Sequence, residues 1–97
     1  MTVKYKPFES KQFKKGRRLA VKQGLDIAML DWGIEQLALD IPLPPNWKDH
    51  QLKGKFKKFR ECHIDGSGDW LLVYEKRQNT MILYLVDTGS HSKALNI

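Results

Sequence analysis

The 97-residue sequence carries 17 Lys and Arg against 11 Asp and Glu, a formal net charge of +6, 41% hydrophobic residues and one cysteine. That length and hydrophobic content fit one folded domain over residues 1–97 and exclude wholesale disorder, while a lone cysteine excludes an intramolecular disulfide and fits a reducing compartment. No apolar run approaches the roughly 20 residues of a membrane-spanning helix, and "MTVKYKPFESK" lacks the apolar centre of a secretory signal, so the expectation is a cytoplasmic protein with no membrane partner and an affinity for polyanions.

The elements follow in chain order. "VKYKPF" alternates like a strand, giving a short strand from about Thr2 to Lys6. "ESKQFKKGRRLAVKQG" reads as a helix with Ser10 as N-cap and Gly24 as its stop. Its thin apolar stripe is Phe13, Ala20 and Val21, with the aliphatic stem of Arg17 on the same face. "LDIAMLDWGIEQLALDIPLPP" is a second helix, in which Ile27, Leu30, Ile34, Leu37, Ala38 and Ile41 form a core stripe. Pro42, Pro44 and Pro45 end it.

The period then changes. "FKKFRECHI", "WLLVYEKR" and "TMILYLVDT" read as three strands, with "DGSGD" and "RQN" as the turns between them. The fold class is therefore α+β in the order β-α-α-β-β-β: an antiparallel sheet with a helix hairpin on one face and the first strand on an edge. Charge is segregated along this frame. Lys11, Lys14, Lys15, Arg17, Arg18 and Lys22 form one basic block without an acid, the stretch 23–47 carries only acids, and the chain turns basic again from Lys48 to Arg60. Such blocks either form solvated helix faces or flank a site for phosphates.

Polar residues gather at strand ends. His50 precedes the second strand, His63 ends it, Asp69 opens the third, and His91 follows the fourth. A hairpin brings His63 near Asp69, and the return of the fourth strand brings His91 to the same rim. Histidine titrates near neutrality, so a pair can act as general base and general acid. RNA supplies its own nucleophile in the 2′-hydroxyl, and nearby cations can stabilise the charge that develops on phosphorus. Three histidines and an aspartate also suit zinc, but the spacings match no compact metal motif, and no cofactor is expected. Cys62 and His63 are strand neighbours and point to opposite faces, so Cys62 reads as a core residue. Exposed aromatics near the histidines would stack on bases.

"LPPNWKDHQLKGKFKKFRECHID", "DWLLVYE" and "TGSHSKAL" resemble the YafQ branch of the RelE superfamily, toxins of bacterial type II toxin–antitoxin pairs. The similarity covers roughly Leu43 to Leu95. It implies a compact RelE-like fold that cleaves mRNA, typically in the ribosomal A site. Its implied catalytic residues are His50, His63, Asp69 and His91. Lys48 and Arg60 match basic positions of the family, and Lys53, Trp70 and Arg77 complete the expected RNA-binding set. The implied partners are mRNA, the ribosome and a cognate antitoxin, with operator DNA reached only through the antitoxin. Two positions depart from the pattern: Asp87 stands where the family has a basic residue, and Leu95 where it often has an aromatic. They motivate a second reading, a catalytically weakened homologue that only binds the ribosome or its antitoxin.

Overall fold

The computed structural model describes residues 3–66 and 68–90. Its elements are β1 (Lys6–Glu9), α1 (Lys11–Lys22), α2 (Ile27–Ala38), β2 (His50–Gln51), β3 (Arg60–His63), β4 (Trp70–Arg77) and β5 (Ile82–Ser90). The sheet order is β1-β5-β4-β3-β2. β2 to β5 pair antiparallel, and β1 pairs parallel to β5 on the far edge. The sheet is thus mixed, because the chain crosses over through the helix hairpin between β1 and the later strands.

β1 lies later than the sequence alternation suggests. It contains Pro7, which an edge strand tolerates because the missing N–H can face away from the ladder. Ser10 then caps α1: its hydroxyl accepts from the Phe13 amide at 3.0 Å and donates to the Val86 carbonyl at 2.7 Å. This one side chain starts the helix and ties it to β5. Gly16 lies so close to β5 that a Cβ there would overlap the Thr88 carbonyl. Phe13 and Ala20 are buried as expected, but Val21 is exposed. Gly24 takes the left-handed φ that stops the helix.

α2 is N-capped by Asp26 and buries Leu30, Gly33, Leu37 and Ala38. Gly33 makes room for Trp47: a Cβ would sit 2.6 Å from its ring. The helix ends before the prolines, with Asp40 in the left-handed region, which leaves Ile41 exposed outside the core. Arg17 and Asp31 bridge the two helices at 2.8 Å.

The two sheet faces differ. Phe13, Leu30, Leu37, Trp47, Cys62, Leu72, Tyr74, Leu83 and Leu85 build the main core under the helices. The other face is left uncovered by the helices, and on it Leu71 and Val73 pack with Leu52, Phe59 and Val86. Leu52 and Phe59 come from the basic segment between β2 and β3, which forms a short 3-10 turn at Gly54–Phe56 rather than the start of a strand. Strand β3 is correspondingly shorter than the sequence pattern implies.

Candidate active site on the uncovered sheet face

Alternation along β3 decides the site. Glu61 pairs with Val73 and His63 with Leu71, so both belong to the face away from the helices. β2 adds His50 directly opposite Glu61. The His50 and His63 rings lie 6.5 Å apart, tilted by 32°.

His50 Nδ1 sits 2.7 Å from the Lys48 carbonyl. A carbonyl only accepts, so Nδ1 carries the proton and Nε2 is the nitrogen left for chemistry. Nε2 lies 3.6 Å from Glu61 Oε1, longer than a hydrogen bond and an ion pair only when the imidazole is protonated. Glu61 is 3% exposed, and its Oε2 has no hydrogen-bond partner among the described residues. Burying a carboxylate this way is costly, which marks Glu61 as a functional candidate. The sequence reading missed Glu61, although its spacing of two from His63 in a strand already places both on one face.

Asp69 is exposed and immediately precedes Trp70, and Leu71, the next residue, pairs with His63. Trp70 packs against the main core and donates through Nε1 to Thr88 Oγ1 at 3.1 Å, and that hydroxyl donates to the Leu71 carbonyl at 2.7 Å. Asp69, Trp70, Asp87 and Thr88 line a cavity of about 440 Å3 against the end of α1. Ser90 pairs with Trp70; His91 follows it and, like Leu95, lies outside the described residues. Asp87 is buried and pairs with Val73, the same residue that pairs with Glu61.

Lys48 and Lys53 are exposed and flank the short β2 strand that carries His50. Two other expected RNA contacts are placed elsewhere. Arg60 lies on the opposite face of β3 and pairs with Asp49 at 3.2 Å. Tyr74 donates to the same Asp49 oxygen at 2.6 Å. Burial, and then the Asp49 carboxylate, push the Tyr74 hydroxyl well above its usual range, so it stays a donor. Arg77 lies at the far end of β4, six residues beyond Leu71 and about 20 Å along the strand. It pairs with Glu75 at 2.8 Å and stacks 4.3 Å from the centre of the Tyr84 ring. Neither arginine is brought to the histidines, because alternation sends Arg60 through the sheet and strand length carries Arg77 away.

Cys62 is fully buried, and burial followed by the Asp49 and Glu61 carboxylates pushes its thiol far up. It is no nucleophile at neutral pH. Among the described residues no group of three or more His, Cys, Asp or Glu is arranged to hold a metal ion, and no helix is long and apolar enough to cross a membrane.

Residues 5–96 match the family described as bacterial toxin of type II toxin–antitoxin system, YafQ. The mRNA interferase toxin YafQ of Escherichia coli strain K12 is 33% identical over 84 residues, 86% of this chain and 87% of that protein. A metal-bound toxin from Helicobacter pylori superposes with a TM-score of 0.85 at 43% identity, over 92% of this chain and 97% of its own. The E. coli DinJ–YafQ toxin–antitoxin complex gives 0.81 at 31%, over 93% and 96%. Over nearly its whole length the chain shares sequence and fold with these toxins, and it belongs to the YafQ family of type II toxin–antitoxin toxins.

Proposed function

We propose that this toxin is an endoribonuclease that cleaves mRNA through attack of the RNA's own 2′-hydroxyl. The observation that carries the reading is the cluster of His50, Glu61 and His63 on one uncovered face of a basic domain. In this reading His50 Nε2, with Nδ1 held by the Lys48 carbonyl, takes the 2′-hydroxyl proton, and the Glu61 carboxylate beside Nε2 stabilises the imidazolium that forms. His63, its ring centre 6.5 Å from that of His50, and His91 with Asp69 serve the leaving 5′-oxygen and the phosphate. Lys48 and Lys53 attract the phosphates flanking the cut. Trp70 contributes to the wall beside Asp69 and borders the path of the RNA. The route calls on no metal ion. The relatives named mRNA interferases support the substrate class, and the ribosomal A site is the place where mRNA is offered as a single strand. An antitoxin covering the basic surface is the expected protein partner, as in the DinJ complex of the E. coli relative, with operator DNA reached only through that antitoxin.

The test uses purified ribosomes and a defined mRNA. Cleavage that requires ribosomes, resists a transition-metal chelator and stops when the 2′-hydroxyl at the cut is replaced by hydrogen fits the reading. Cleavage of the 2′-deoxy substrate contradicts it. Asp87 favours a second reading: it sets a carboxylate, not a cation that would stabilise phosphate charge, in the row of Glu61 and Val73. A toxin weakened in this way inhibits translation without new mRNA ends.

A further inference from the structure

His50 is held by little of its own. Its strand is two residues long and lies at the sheet edge, too short to fix a side chain alone. Its ring is about half exposed. The residue before it is held far more firmly. The Asp49 carboxylate accepts from the buried Tyr74 hydroxyl at 2.6 Å and from Arg60 Nε at 3.2 Å. Arg60 and Tyr74 are themselves direct cross-strand partners in β3 and β4. The triangle is therefore anchored in the centre of the sheet and reaches out to the edge through one residue.

We propose that the Asp49–Tyr74–Arg60 triangle is the positioning element for His50, clamping the chain on the covered side of the sheet so that the imidazole is aimed at Glu61 on the uncovered side. Fixing Asp49 fixes the peptide units on both sides of it. One of these carries the Lys48 carbonyl that accepts from His50 Nδ1, and Lys48 itself takes a left-handed φ of 52° that a loose segment would not keep. The other sets the direction in which the His50 side chain leaves the backbone. Arg60 is then a structural cation rather than an RNA contact. Asp49, Tyr74 and Arg60 act on catalysis only through His50, so the inference rests on the nuclease reading for its effect on rate but not for its effect on geometry.

The experiment pairs two readouts on Tyr74→Phe. The first is the NMR signal of the His50 ring, with His63 as internal reference. The second is kcat and KM for ribosome-dependent cleavage, measured well below the melting temperature. The expectation is a displaced or broadened His50 signal, an unmoved His63 signal, and a kcat reduced about 10–100-fold with KM within about twofold, the scale on which small misplacements of a reacting group act. Asp49→Ala should behave alike, and the double variant should be no worse than either single one, because all three disrupt one unit. Asp49→Asn keeps an acceptor for Tyr74 and should recover most of the rate. An unmoved His50 signal overturns the proposal, and so does a moved signal with unchanged kcat. If the wild type does not cleave, the nuclease reading fails, and the NMR comparison alone decides whether the triangle positions His50. Should Tyr74→Phe not fold, the same two readouts on Asp49→Asn and Asp49→Ala decide it.

Discussion

Strand β3 has two faces, and its four residues divide evenly between them. Arg60 and Cys62 face the helices: Arg60 is paired with Asp49, and Cys62 is sealed among Leu72, Tyr74 and the helix core. Glu61 and His63 face the other way, where Glu61 is just as buried but, among the described residues, keeps one oxygen without a hydrogen-bond partner and has its other oxygen 3.6 Å from the half-exposed His50 imidazole. Two carboxylates make the contrast concrete. Asp49 accepts two hydrogen bonds on the covered face, which is how a protein normally pays for a partly buried charge. Glu61 is not compensated in this way. The comparison teaches that this fold keeps its hydrogen-bonded carboxylate and its uncompensated one on opposite sides of one strand, and the uncompensated one is where a reactive charge is to be sought.

The largest expected effects fall on the uncovered face. His50→Ala and His63→Ala should each lower cleavage by about 10²–10⁴-fold with the melting temperature little changed, since both rings are partly exposed and carry little packing. Circular dichroism beside the cleavage rate checks this; a fall in melting temperature that accounts for the lost activity would erase the distinction between the faces. Glu61 should separate activity from stability. Glu61→Gln should slow cleavage by about 10²-fold. Glu61→Met, which removes the unpartnered buried oxygen, should raise the unfolding free energy by about 1–3 kcal/mol while abolishing the Glu61 contribution. If Glu61→Met lowers stability instead, the carboxylate has a structural partner and the contrast with Asp49 is wrong.

The covered face should respond in the opposite sense. Cys62→Ala should cost about 1 kcal/mol through lost packing and leave the cleavage rate unchanged, because the thiol points away from the histidines. A loss of activity at unchanged stability would place Cys62 in the chemistry. The smallest effect belongs to Asp40, far from the site, whose carboxyl is held down to about 2 by hydrogen bonds from Lys76 and then Lys4. A carboxyl with a depressed folded value stabilises the fold above its ordinary value and loses that contribution as pH falls. Wild type should therefore exceed Asp40→Asn slightly above about pH 4, and the two should converge as pH falls toward 2. Because the group is exposed, salt should shrink the difference as well.

Much of this fold was legible in the sequence because its signals are local. The Ser10 cap, the Gly24 stop, the core stripe of α2 from Leu30 to Ala38 and the three late strands all follow from period and punctuation. What was not legible depends on tertiary partners. β1 is displaced toward Pro7 because only pairing with β5 defines it, and β2 is too short to leave a period. Val21 and Ile41 fit the apolar stripes yet are exposed, since helix α1 is anchored by Gly16 on β5 and α2 stops at Asp40. At the site, His50, which the sequence leaves in a loop, is brought to His63 by the short pairing of β2 with β3. Glu61 and Arg60 were readable from alternation along Arg60–His63, which sends one to the histidines and the other away. For Arg60 the basic residue type, next to the motif, outweighed that rule, and for Arg77 it outweighed the length of β4.

The central claim is that the uncovered face of β3 carries a nuclease site built on His50, Glu61 and His63. It is tested most directly by mapping mRNA 5′ ends by primer extension in a reconstituted translation reaction, with wild type, His63→Ala and Glu61→Gln side by side. The account predicts new ends with wild type, and their loss or strong reduction with both variants at unchanged folding. Translation inhibited by wild type without any new ends, or ends equally strong with Glu61→Gln, would contradict it.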